Sequence, residues 1–502
     1  MNDDFTVDNI PAFSGDLMSM VRRGEFDRTL RRLWRFTNCI LEDSRANGFV
    51  LAHPLLDATC MEAGAALASK HGITKSQHPS ARRDVYLVTE LLSAGGHSRV
   101  LADIVEARGR QKALVIATNV NGNHDHKAAE MLLAPLDAEI ELLAGTSFED
   151  KAIHLLDRLA RLAPENITVL SNHGDSVAIQ ALQPSLLRKA EYYHHCDHNF
   201  ALGVTLSHLT HIDVSQRLFS QCPAQHHSNG KHVYWPITAN VTRFRNPGDF
   251  LKRTGPITTA SSGNANKYLT NDRRRNPRAR SGYLYSYFDL VAPLLRATGG
   301  RHIHIGPLPQ TLREEIYQML ANLDIGMDRF IHVPWVPALA DSLVDYGVDL
   351  YISSFPIGGG RAVIEAGGAG IPILQHRNYQ NSLLSGGATH LGGFFWDHPE
   401  EMLEFLRTVD AQTLARLAGQ VRENYVTYHS PNVLKRLVDQ PIGEEGMPPI
   451  IENTDALQDF IDRFGPVEVR IPAAEMPSKK SKKPRLWRSA KKAARRFAEA
   501  WL

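Results

Sequence analysis

A run of three glycines carries the clearest chemical signal in this 502-residue chain. In SSFPIGGGRAVIEAGGAGIPIL (353–374), a short apolar stretch, DLYIS, enters Gly358, Gly359 and Gly360, and a helical pattern leaves them. Glycines let a backbone come close to a ligand. The free N–H groups and positive dipole end of a starting helix favour a diphosphate. Arg361 follows at once and adds a cation. Glu365 stands about one helical turn further on, where a carboxylate can accept the hydroxyls of a ribose. Gly370 and Pro372 then end the helix and admit another strand. A tight turn of small residues is the plain alternative, but strand, glycines, helix and acid together favour a ligand site.

Histidines supply the second signal. His97, in GGHSRV after Gly95 and Gly96, follows an apolar strand pattern and opens a helix. A neutral imidazole there can take a proton from an attacking hydroxyl near pH 7; capping the helix is its structural alternative. YYHHCDHNF (192–200) packs His194, His195, Asp197 and His198 directly after another apolar run, and SNHGD (171–175) places Asn172, His173 and Asp175 after a third. These groups are expected to form a hydrogen-bonded network at a cleft, close to an acceptor or supporting the reacting groups. H-H-C-D-H is too compressed for the usual zinc spacing, so no metal is expected. Lys267, in ASSGNANKYLT, offers an ammonium that can meet a leaving phosphate.

These residues sit in a repeating frame. From Asp84, buried-strand patterns (DVYLV, KALVIAT, NITVLSN, AEYYHHC) alternate with amphipathic ones, which predicts a parallel sheet with helices on both faces. Alternation restarts at GPITTASSGN and runs through RHIHIGPLP, RFIHVPWVP, VDLYISSF and IPILQH. The expected class is α/β: two doubly wound, Rossmann-type domains facing a cleft. Helical spacing in Leu30, Leu33, Trp34, Thr37, Ile40 and Leu41, and a helix from Leu55 to Lys70 with Pro54 in its first turn, precede them. The boundaries read as a helical segment over 1–80, domains over 84–250 and 251–440, a linker over 441–476 and a basic tail over 477–502.

The joined motifs resemble those of GT-B glycosyltransferases, in the group of O-GlcNAc transferase-like enzymes and bacterial protein-glucosyltransferases. The likeness lies in the glycine turn followed by E-A and G-x-P (358–372), TELLSAGGHSRVLADIV (89–105), ASSGNANKYLT (260–270), HIHIGPLP (302–309) and FIHVPWVP (330–337). It implies a GT-B fold that moves a sugar from a nucleoside-diphosphate donor, expected to be UDP-linked, to a hydroxyl of a glycan, lipid-linked or protein acceptor. Gly95, Gly96, Asn264, Lys267, Gly358, Gly359, Gly360, Arg361 and Glu365 would hold the donor, and FIHVPWVP would lie near the nucleobase. His97 and His195 would form the catalytic set, with His173, His194, Asp197 and His198 on the acceptor side. No cofactor or metal is implied. A nucleotide-sugar epimerase of the same fold and a non-catalytic, membrane-associated scaffold are the rival readings.

Composition fits this frame. Hydrophobic residues make 43% and charged residues 22%, which is ordinary for a globular chain. The four cysteines form no CxxC pair, and no basic-then-apolar leader opens the sequence, so a cytoplasmic location is expected. Net charge is +2, yet residues 477–502 carry ten basic side chains against Glu499 alone. In that tail Leu486, Ala490, Ala493, Phe497 and Trp501 fall on one helical face, opposite the cations. Such a helix suits an anionic membrane surface, contacted through residues 479–502 on the inner face. Trp487 and Trp501 favour lipid over nucleic acid, which is not an expected partner.

Overall fold

The computed structural model describes residues 9–42, 50–77, 84–93, 96–109, 113–195, 199–229, 231–269, 287–378, 383, 392–440 and 447–449. Gly95, Asp197, His198, the expected tail and all but 447–449 of the expected linker lie outside them. Among the described residues no helix is long and apolar enough to cross a membrane.

The first lobe is a seven-stranded sheet of β1 (Asp84–Val88), β2 (Leu114–Ala117), β3 (Glu139–Leu142), β4 (Asn166–Leu170), β5 (Lys189–His194), β6 (Thr210–Asp213) and β7 (His232–Tyr234). Their order is β3-β2-β1-β4-β5-β6-β7, and every pairing is parallel. DVYLV, LVIA and NITVL are buried along their whole length, as inner strands covered on both faces must be. EIEL, at the edge, alternates with acids and stays partly exposed. Helices Ile10–Arg22, Phe26–Glu42 and Pro54–Lys70 pack onto this lobe and share its core through Leu17, Leu30, Leu33, Phe36, Leu56 and Leu67.

The second lobe repeats the plan. Strands β8 (Thr259–Ser262), β9 (His302–Ile305), β10 (Phe330–Val333), β11 (Leu350–Ile352), β12 (Ile373–His376) and β13 (Phe394–Trp396) lie in the order β10-β9-β8-β11-β12-β13, again all parallel. Both sheets therefore reverse their winding once, between β1 and β4 and between β8 and β11. A crevice opens beyond the carboxyl ends of the strands at such a reversal. The loops that carry His97, His173, Lys267 and Gly358–Gly360 leave these four strands.

Two hydrophobic cores exist, and Ile237 packs against both. Trp235 belongs to the first, whereas Ala239, Val241 and Phe250 belong to the second. The chain thus changes lobes near Ile237, ahead of the boundary at 250 expected from the motifs. It returns at its C-terminal end: Val433, Leu434 and Leu437 of helix Pro431–Asp439 enter the first core, beside helix Gly96–Arg108. The two crossings are tied together. The Tyr425 hydroxyl donates to the Ala239 carbonyl at 2.7 Å, Ala239 N–H donates to the His429 carbonyl at 3.3 Å, and the His429 ring bonds the Ile237 carbonyl at 2.9 Å.

The sequence pattern missed β6 and β7. THID and HVY are short; THID buries His211 and Asp213 beside Ile212, and HVY buries Tyr234 alone. Asp175 also differs from its expected place at the cleft. It is fully buried, accepts the hydroxyls of Thr89 (2.7 Å) and Thr118 (2.5 Å), and caps helix Ser176–Gln180 through Ala178 N–H at 2.9 Å. It ties the ends of β1 and β2 to the helix after β4. Asp175→Ala strands all three donors; at about 1–3 kcal/mol for each unmade buried bond, the chain should lose roughly 3–5 kcal/mol in urea unfolding, and a loss below about 1 kcal/mol would contradict this role.

Candidate active site

In the second lobe the two loops at the reversal meet. After β11 the chain turns through Gly358–Gly360, and Gly360 (φ −84°, ψ −90°) begins helix Arg361–Gly368 with no side-chain cap. After β8 the short helix Ala265–Leu269 carries Lys267, whose Nζ donates to the Gly358 carbonyl at 3.2 Å. Asn264 is exposed just before that helix. The glycine of HIHIGPLP explains how the loop after β8 is seated. Gly306 has φ +139°, and a Cβ there would lie 2.3 Å from the Gly263 carbonyl oxygen. Only glycine allows the loop after β9 to pass so close to the one that leads to Lys267.

In the first lobe His97 lies in the first turn of helix Gly96–Arg108, which the Ser98 hydroxyl anchors by accepting Leu92 N–H at 2.9 Å. The His97 Nδ1 atom is 2.5 Å from Nε2 of His195, just past the end of β5, and the rings meet edge to face at 3.9 Å. Burial pushes the His97 imidazole down to about 4, with the Leu170 carbonyl working against it. Burial also drives His195 well below the usual range, and the neighbouring His97, His194 and His173 add to this. Both rings are therefore neutral at pH 7. A neutral ring that donates from one nitrogen keeps an acceptor lone pair on the other, so the pairing leaves one imidazole nitrogen with base character.

His194 turns the other way. It is buried, and its Nδ1 atom lies 3.1 Å from Oδ1 of Asp213. Successive residues of a strand point to opposite faces, so His195 reaches the cleft side while its neighbour enters the edge of the lobe. His194 thus departs from the cleft network expected for it, and it joins His211, Asp213 and Cys222 in the one group among the described residues able to hold a metal ion.

Arg361 joins the lobes. Its guanidinium donates to Oδ2 of Asp103 on helix Gly96–Arg108, to the Thr238 carbonyl at 2.7 Å and to Glu365 at 3.0 Å. A second cation for a diphosphate was expected here. The guanidinium instead meets three acceptors at the contact between lobes, and Glu365, expected at a ribose, shares one oxygen with it. Burial raises the Asp103 carboxyl to about 6 while Arg361 pulls it down, as befits a charge whose water has been replaced by a guanidinium. A Cβ on Gly96 would lie 3.6 Å from Arg361 Cβ, so the glycine turns of the two lobes face each other. Asp103 and Thr238 escaped the sequence reading: Asp103 lies within TELLSAGGHSRVLADIV but looks like a solvated helix position, and Thr238 looks like a loop hydroxyl.

The architecture is GT-B. Two Rossmann-type lobes, a cleft between their carboxyl ends and a final helix returning to the first lobe define it. No protein-family model matches the chain, and no curated protein matches it in sequence. Among solved structures it is similar to HepE of Anabaena in complex with UDP and glucose (14% identity, TM-score 0.48, covering 72% of this chain and 99% of that one). It is similar also to a mutant O-GlcNAc transferase of Thermobaculum terrenum (14%, 0.45, 87% and 82%) and to MurG of Acinetobacter baumannii (14%, 0.43, 71% and 98%). At these identities the likeness is one of fold.

The contact between the GT-B lobes is open to test. Asp103→Ala leaves the Arg361 guanidinium with fewer acceptors. A hydrogen bond to a charged group is worth about 1.5–3 kcal/mol, so the variant should lose roughly that in denaturant unfolding and show a larger radius of gyration by small-angle scattering. Unchanged values of both would mean that Arg361 does not hold the lobes.

Proposed function

We propose that this chain is a glycosyltransferase that moves a sugar from a nucleoside-diphosphate donor, UDP-linked, to a hydroxyl acceptor. One observation carries the reading: Lys267 Nζ rests on the Gly358 carbonyl beside an uncapped helix start, at the winding reversal of one lobe. In the other lobe His97 follows the corresponding reversal, and His195, just past β5, pairs with it. An ammonium beside a helix start at such a crevice suits a diphosphate. Neither backbone nor packing among the described residues demands glycine at 359, where φ is not positive and an added Cβ would meet its nearest neighbour at an ordinary 3.6 Å.

The chemistry then divides between the lobes. The acceptor oxygen attacks the anomeric carbon, and the bond from that carbon to the phosphate oxygen breaks. The electron pair leaves with the diphosphate, whose growing charge is met by Lys267 and the helix start. The acceptor proton passes to a ring nitrogen of His97, whose Nδ1 atom lies against His195. Trp335, 53% exposed in the loop after β10, offers a plane on which the nucleobase can stack.

Two measurements test this. UDP should raise the melting temperature of the full chain, and Lys267→Met should weaken UDP binding by about 10–100-fold, the equivalent of one charge-assisted bond. A flat melting temperature across nucleoside diphosphates would refute the donor site. His97→Gln should lower kcat of sugar transfer by roughly 10²–10⁴ with donor binding kept. Because burial lowers the His97 pKa, the base form persists below pH 6.5. The acid limb of kcat/KM should lie under that value, and a limb above it would exclude His97 as the base.

A further inference from the structure

The edge of the first lobe holds a group of side chains that sugar transfer does not use. His194 ends β5, His211 and Asp213 lie two apart on β6, and Cys222 follows helix Gln216–Gln221. Sheet register brings them together: His194 pairs with Asp213, and His211 pairs with His232 of β7. His194, His211, Asp213 and Cys222 are each no more than 2% exposed. One ligand atom from each lies within 4.8 Å of all the others.

We propose that His194 Nδ1, His211 Nε2, Asp213 Oδ1 and Cys222 Sγ bind one Zn²⁺ ion at a closed, structural site. The spacing supports it. For bonds of about 2.0–2.1 Å to nitrogen or oxygen and about 2.3 Å to sulfur, a tetrahedron has edges of about 3.3 Å between the light atoms and about 3.5 Å to sulfur. Asp213 Oδ1 is 3.1 Å from both His194 Nδ1 and His211 Nε2. Cys222 Sγ is 3.3 Å from His211 Nε2 and 3.7 Å from His194 Nδ1. The two light-atom separations fall just under the expected edge, the two sulfur separations lie either side of theirs, and the whole set stays within 4.8 Å.

Charge supports it too. Asp213 is wholly buried, and its ion-pair contacts among the described residues are three imidazoles, with no lysine or arginine. A dication with one thiolate and one carboxylate sums to zero, which removes most of the cost of burying a lone carboxylate. Binding releases the Cys222 proton and needs both imidazoles neutral, with their lone pairs toward the ion. The surroundings fix the ligands as a metal shell should. His232 Nε2 sits 2.6 Å from the other oxygen, Oδ2 of Asp213, and its ring stacks on Phe219 at 3.9 Å. The His211 ring stacks on Tyr192 at 5.5 Å. Two imidazoles, one carboxylate and one thiolate, on β5, on β6 and just after helix Gln216–Gln221, would thereby meet one residue before His195. Sequence spacing could not show this set, since Cys222 stands 28 positions from His194.

The full chain, purified without a polyhistidine tag and dialysed against metal-free buffer, should retain about one zinc per molecule by mass spectrometry, as a closed four-ligand site does. Cobalt substitution should give the visible bands of a tetrahedral ion and a thiolate-to-cobalt band in the near ultraviolet. Cys222→Ser should abolish the ultraviolet band, whereas Cys39→Ser should keep it. His232→Gln should keep the ion with affinity lowered roughly 10–100-fold, as for other residues that orient a ligand. If Cys222→Ser fails to fold, removing zinc from the unmodified chain with a chelator should lower its melting temperature and added zinc should restore it. Folded chain with no zinc and no cobalt bands would leave only a hydrogen-bonded network and overturn the proposal. Cobalt bands unchanged in folded Cys222→Ser would overturn it as well. None of these readouts depends on sugar transfer.

Discussion

The geometry of this molecule depends on one guanidinium. Arg361 opens the helix after the glycine turn of the second lobe, and its side chain ends on Asp103 and the Thr238 carbonyl. The residue that starts the candidate phosphate-binding helix therefore also sets how far that helix stands from the His97 helix. The contact is short and mostly buried, so its strength comes from replacing lost hydration with three acceptors. A lysine could not span Asp103, Thr238 and Glu365 at once, because it lacks the planar fork.

The rest of the cleft follows from topology. Each lobe reverses its winding once, and each reversal brings two loops side by side whatever their sequences. The chain puts its unusual residues on those loops: Lys267 and Gly358–Gly360 in one lobe, His97 and His173 in the other. Ordinary features fix the loops in place. Asp175 gathers the ends of β1 and β2, Ser98 anchors the start of its helix, and Gly306 yields room to the backbone before Lys267.

Much of this was legible in the sequence, for a physical reason. Inner parallel strands are largely apolar on both faces, so DVYLV, LVIA and NITVL announce themselves, and glycine turns beside such strands mark the crevices. The pairing of His97 with His195 and of Lys267 with Gly358 joins residues singled out from motifs alone. What was hidden shares one property, that partners distant in sequence decide it. Arg361 reads as a cation for a ligand until Asp103 stands opposite. His194 reads as a cleft residue until the strand's alternation turns it inward. β6 and β7 were invisible because they are short, and β6 buries histidine and aspartate where hydropathy looks for aliphatic side chains.

The chain passes between the lobes twice, at Ile237 and again beyond Tyr425, and the two passages lie side by side, joined by the bonds of Ala239, Tyr425 and His429. Two covalent threads laid together resist sliding and separation but permit turning about their common line. The lobes are hung like a door on one edge, with the Arg361 contact as its latch.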